Sequence, residues 1–131
     1  MKEITPRSSD ARRGFVVQAK SWDEIAQFYR EGTGGHFVAM LPLVDALAGS
    51  SAARELWAFT SMHTLGVSDS VEHRIEDSTL YINYNPHDRT FEFHHHSFSG
   101  HDDRATCSEA EALQTLRNFL KYKFGVLLDG P

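Results

Sequence analysis

Between Thr79 and His96 apolar and polar residues alternate with period two, and the alternation survives folding the segment back on itself. With a turn centred on His87 and Asp88, inside Asn85 to Arg89, Tyr84 faces Phe91, Ile82 faces Phe93 and Leu80 faces His95. The opposite side then pairs Asn83 with Glu92, Tyr81 with His94 and Thr79 with His96. One side is almost wholly apolar and the other polar, as a half-buried antiparallel pair requires, and a slip of one residue scrambles both. The pattern predicts a β-hairpin over about residues 79–97.

Helical periodicity follows. Leu113, Leu116, Leu120 and Phe124 form an apolar stripe that Ala112 and Phe119 widen. Thr106 and Glu109 make a capping-box pair, Glu109 and Glu111 against Lys121 and Lys123 suit the helix dipole, and Gly125 suits the stop. A helix over about 107–124 is expected to cover the Ile82/Phe93 side of the hairpin. Upstream, Ser21 and Glu24 form a second capping box ahead of Trp22, Ile25, Ala26 and Tyr29, with Gly32 as the stop, for a helix at about 22–31. Pro42 fits the first turn of another helix at about 41–48, ended by Gly49.

Phe15 to Val17 reads as the start of a short strand. The aromatic and β-branched content of Leu56 to Val67 favours one strand from about residue 57. Residues 68–78 read as a polar connection, Ser97 to Arg104 as a polar loop, and residues 1–13 as a loose N-terminal arm. The expected fold class is α+β. An antiparallel sheet of three to four strands, with the hairpin central, is packed by a C-terminal helix and one or two N-terminal helices in a single domain over 1–131.

Composition narrows the function classes. A chain of 131 residues matches one domain and buries roughly two thirds of its unfolded surface. The formal charge of −5, from 18 acidic and 13 basic residues, argues against a nucleic-acid partner and suits a basic protein partner. Cys107 is the only cysteine, which excludes an intrachain disulfide. Its place at the expected helix start would lower its thiol pKa, but nothing else in the sequence marks it as a nucleophile. Gly32-Thr33-Gly34-Gly35 lacks the Lys-Ser/Thr of a phosphate loop and reads as a hinge. No stretch approaches the ~20 apolar residues of a membrane span, and no apolar run of signal-peptide length follows Lys2 and Arg7. The expected location is cytoplasmic, with no membrane partner.

Histidine usage is the unusual feature: of eight, His87, His94, His95, His96 and His101 fall within fifteen residues. Glu92, His94 and His96 project from the polar side of the hairpin. Two imidazoles at i and i+2 on a strand can bind one divalent metal such as zinc, and a carboxylate, Glu92 among them, or His101 from the loop could complete three or four ligands. The competing reading is a solvated strand face that holds histidines, and no His-Glu-x-x-His or Cys-x-x-Cys accompanies them. Clustered imidazoles, which titrate near ~6.5, also admit a pH-responsive patch. His95, opposite Leu80, reads as a neutral residue at the edge of the core. His63, on the Trp57/Phe59 side of its strand, reads as a structural histidine. Ser97, Ser99, His101, Asp102 and Asp103 hold the residue types of a catalytic triad, but neighbours in one loop rarely converge as a triad must.

Leu80 to Pro86, Thr90 to His94 and the helix opening Cys107 to Leu113 together resemble small bacterial immunity proteins over about residues 79–124. The resemblance implies an acidic cytosolic α+β domain that binds and neutralises a toxin, and it transfers no individual site residue. The leading expectation is therefore a non-enzymatic binding protein without a cofactor. Its contact surface is expected at Tyr81, Asn83, Glu92, His94, His96, His101, Asp102 and Asp103. One alternative is a metal-dependent enzyme or metal-binding protein using His94 and His96 with Glu92. Another is a small-ligand domain with a pocket between the 22–31 helix and the sheet.

Overall fold

The computed structural model describes residues 16–69, 72–74, 78–96 and 102–128. The hairpin forms its centre. Strands β5 (Thr79–Asn85) and β6 (Thr90–His96) pair in the register that the alternation requires, with Ile82 opposite Phe93, Tyr81 opposite His94 and Thr79 opposite His96. At the tip the Asn85 carboxamide oxygen accepts from the amides of His87 and Asp88 at 2.9 and 3.2 Å. This side-chain turn holds the loop while Arg89 takes the left-handed conformation, φ 59°, and its amide donates to the Asn85 carbonyl at 2.7 Å.

Three more strands join the pair: β2 (Trp57–Ser61), β3 (Thr64–Ser68) and β7 (Asp103–Ser108). They form a five-stranded antiparallel sheet in the order β2-β3-β5-β6-β7, wider than the three to four strands expected. Two segments account for the difference. Leu56 to Val67 is not one strand but a second hairpin, whose two-residue turn is Met62, at φ 56°, and His63. Such turns usually announce themselves with Asn or Gly, and this one has neither. Residues 103–108, read as loop and helix start, are the edge strand. Separately, β1 (Val16–Gln18) pairs with β4 (Glu72–Arg74), which falls inside the expected polar connection.

Helix α1 (Trp22–Gln27) continues into a wider π-type turn, Phe28–Gly32. Its capping box is complete: the Glu24 amide donates to Ser21 Oγ at 3.1 Å and the Ser21 amide to Glu24 Oε1 at 3.0 Å. Helix α2 (Leu41–Ala48) has Pro42 in its first turn and Gly49 at its end. Helix α3 (Ala112–Phe119) follows a 3₁₀ turn, Glu109–Glu111, and runs on through a π-type turn to Phe124, where Gly125 adopts φ 68°. It starts later than expected because two capping boxes overlap in the sequence and the second one forms: the Ser108 amide donates to Glu111 Oε1 at 3.3 Å. Thr106 and Cys107 stay in β7. Cys107 is thus half-buried in a strand opposite Phe91, not at a helix start.

The inner side of the sheet (Ala58, Leu65, Val67, Leu80, Ile82, Phe91, Phe93) shares one buried core with Ile25 and Tyr29 of the first helix, Leu43 and Leu47 of α2, and Leu116 and Leu120 of the last. Burying each such Leu or Phe contributes about 1.5–3 kcal/mol. Phe93 and Phe119 stack at 5.7 Å, which fixes the C-terminal helix over the centre of the sheet. The Tyr29 hydroxyl donates to the His63 carbonyl at 3.0 Å and ties the first helix to the β2–β3 turn. His63 itself is exposed and stacks on Phe37 at 4.2 Å, away from the Trp57/Phe59 side, because the turn takes it out of the strand. Among the described residues no helix is long and apolar enough to cross a membrane. The arm at 1–13, Phe15, Ser97, Ser99 and His101 lie outside the described residues.

Candidate site on the outer face of the sheet

Rows run across the strands on the side facing away from the helices. One joins Phe59, Gly66, Tyr81, His94 and Arg104. The Phe59 ring lies over Gly66, so closely that a Cβ there would sit 2.3 Å from its Cζ. Phe59 meets Tyr81 edge-on at 6.3 Å, and Tyr81 meets the His94 ring at 6.3 Å. Burial pushes the Tyr81 phenol above its ordinary pKa, opposed by a hydrogen bond from Thr79. A line of rings thus leads across the sheet to His94. This face is buried at Phe59, Ser68 and Thr79, half-buried at Asn83, His94 and His96, and exposed at Glu92, Arg104 and Thr106.

His94 and His96, two apart on β6, point to the same side. Asp102 immediately precedes β7, whose first pair is Asp103 with His95, so it arrives beside His96. One carboxylate then holds both imidazoles: His94 Nε2 lies 3.0 Å from Asp102 Oδ2, and His96 Nδ1 lies 3.2 Å from Oδ1.

The other residues expected at the site go elsewhere. Glu92 faces Arg104 at 3.6 Å. It cannot join His96, because residues four apart on one strand are separated by about 13 Å. Asn83 accepts from the Thr64 hydroxyl at 2.5 Å. Asp103 lies on the opposite side of the sheet, paired with Lys123. The structure therefore unites His94, His96 and Asp102, with Tyr81 alongside, and separates Glu92 and Asp103 from them. Sequence reasoning missed Arg104, and it placed Asp102 on the contact surface without singling it out as the carboxylate beside the two imidazoles. The one signal for either residue is the faint alternation of Ala105 and Cys107 with polar neighbours.

His95 points into the core edge as expected. Its Nε2 is 2.8 Å from Ser78 Oγ and its ring meets Phe124 edge-on at 5.7 Å. Burial, helped by the Lys123 ammonium, holds its pKa below the ordinary imidazole value. Its Nδ1 is buried without a hydrogen-bond partner among the described residues. Among the described residues no carboxylate bonds the His95 ring as a hydrolytic triad requires.

Between the first helix and the sheet Ile25 and Tyr29 are fully buried, and an open cleft of about 400 Å³ lies along that helix, lined by Lys20, Glu24, Gln27, Phe28, Glu31 and Gly32. The cleft between α2 and the C-terminal helix, lined by Pro42, Leu43, Phe91 and Leu113, has a volume of about 220 Å³. That is below the usual range for small-molecule sites. No protein-family model matches the sequence, and neither a curated protein nor a solved structure matches it.

Proposed function

We propose that this chain is a non-enzymatic binding protein that docks a basic protein surface on the outer face of its β5–β6 hairpin. The observation that carries the reading is the division of the sheet. The helices all share the core of the inner side, while the outer side leaves Asn83, Glu92, His94, His96 and Arg104 within reach of a partner, around a half-buried Tyr81. Tyr, His and Arg each combine contact area with a polar tip, and Tyr and Arg are enriched among residues that dominate interface energetics. The formal charge of −5 supplies the complement to a basic partner. Catalysis is disfavoured because the one serine–histidine contact among the described residues has no third member.

The specific form of this proposal is an immunity protein that neutralises a toxin in the bacterial cytoplasm, as the hairpin-to-helix resemblance implies. The test uses the product of an adjacent toxin-like reading frame, titrated calorimetrically with the full chain. Replacing Tyr81 and His94 together by alanine should weaken the complex roughly thirtyfold, the scale of one interface hot spot, while the free domain stays folded, its stability lowered by the lost Phe59–Tyr81 contact. Undiminished affinity in the double variant refutes the assignment of this face.

A further inference from the structure

We propose that His94, His96 and Asp102 form a binding site for one divalent transition-metal ion of the zinc type. The proposal stands independently of the protein-partner reading. Three chemically suitable donors, two imidazoles and a carboxylate, bring one ligand atom each within 4.8 Å of one another. Zinc bonds of about 2.0–2.2 Å to nitrogen and oxygen set tetrahedral ligand–ligand separations of roughly 3.3–3.5 Å. Measured to one carboxylate oxygen, Asp102 Oδ2, the nitrogen–oxygen distances are 3.0 Å for His94 Nε2 and 3.5 Å for His96 Nδ1, close to that edge. The ion sits between groups that approach this closely, and small rotations of the two rings close the remaining gap. Those rotations are open to them, since the His94 and His96 side chains keep 22% and 38% of their surface exposed.

The backbone supplies the preorganisation. His94 and His96 share one side of a strand paired on both edges, and the pairing of β7 with β6 delivers Asp102 to them. Three protein ligands leave a fourth position for water, on the solvent side. Arg104, opposite His94, is the nearby cation that would oppose a metal, and Glu92 engages its guanidinium at 3.6 Å. Two imidazoles select zinc, copper or nickel over magnesium and calcium, which prefer sites built wholly from oxygen.

Without a metal, the same geometry is a carboxylate accepting hydrogen bonds from two histidines, and the experiment separates the two states. The untagged full chain, stripped with chelator, is titrated with zinc chloride in excess magnesium. The same titration with cobalt(II) is followed by visible absorption. One saturable equivalent is expected, with the intense bands of a four-coordinate cobalt centre. His94→Ala, His96→Ala and the nearly isosteric Asp102→Asn should each weaken zinc binding by at least about tenfold, no less than loss of an outer-shell partner does. Glu31→Gln, an exposed carboxylate at the end of the first helix, should stay within about twofold. Far-UV circular dichroism checks that each variant is folded, and Asp102→Asn keeps the shape of the site if either alanine variant is not. Absence of saturable binding overturns the proposal, as does equal binding by wild type and Asp102→Asn, or displacement of zinc by magnesium.

Discussion

Gly66 is where a single methyl group should cost the most for its size. A Cβ at that position would lie 2.3, 2.5 and 2.8 Å from three atoms of the Phe59 ring, whereas real Cβ contacts essentially never fall below 3.0 Å. The backbone itself accepts alanine, since Gly66 lies within an extended strand, so the ring must leave. Phe59 is 5% exposed, and full burial of such a side chain is worth about 1.5–3 kcal/mol. Its edge-on contact with Tyr81 adds about 0.5–1.5 kcal/mol. Against this, alanine favours a strand over glycine by roughly 0.5–1 kcal/mol. With the ring partly or wholly displaced, Gly66→Ala should lose about 1–3 kcal/mol, measured by urea unfolding under far-UV circular dichroism. The decisive control is the Phe59→Ala background. There the added methyl meets no ring, and Gly66→Ala should be neutral or stabilising by up to about 1 kcal/mol. If the two substitutions simply add, the ring does not rest on the glycine.

Two further outcomes test other parts of the fold. Ser21→Ala removes the cap of the first helix and should lower stability by about 1 kcal/mol in the same urea assay. At the other end of the sheet, hydrogen bonds from Arg89 and Tyr84 hold the Glu109 carboxyl below the ordinary carboxylate pKa. Because the native value is the lower one, this stabilisation is fully present above the unfolded-state value and is lost as pH falls through the native value. The stability gap between wild type and Glu109→Gln should therefore be constant near neutral pH and shrink below about pH 5, as urea midpoints measured across that range will show.

Legibility in the sequence followed the strength of local signals. The hairpin register was readable because six cross-strand pairs sort apolar from polar only one way. The Ser21 and Pro42 helix starts were readable because capping and proline chemistry act within one turn. The β2–β3 turn was not, since Met62 reaches a positive φ without glycine or asparagine to mark it, and the alternation of Trp57, Phe59, Ser61, His63 and Leu65 runs straight through it. Phe59 and Leu65 read as one side of a strand, yet they end on opposite sides of the sheet, Phe59 over Gly66 and Leu65 in the core. Gly66 carried no visible role for the same reason: its partner is set by a pairing that the single-strand reading does not contain.

The site shows the limit of alternation more sharply. Period two tells which side of a sheet a residue faces, and on that basis Glu92, His94 and His96 were grouped correctly as neighbours in direction. Convergence on one point is a different requirement. Successive residues on one side of a strand are about 6.6 Å apart, so a strand can offer two donors to a common centre and never three. The third must come from the adjacent strand, and which residue it is depends on a register that no pattern within β6 contains. Here that strand is β7, a six-residue edge whose sequence, Asp103 to Ser108, is mostly polar and overlaps a capping-box motif that argues for helix. Once β7 is paired, Asp102 is the carboxylate that reaches both imidazoles, and Glu92 is the one that must turn to Arg104. The chemistry of this face is thus written in the pairing of two strands, and it becomes readable only after the weaker of them has been found.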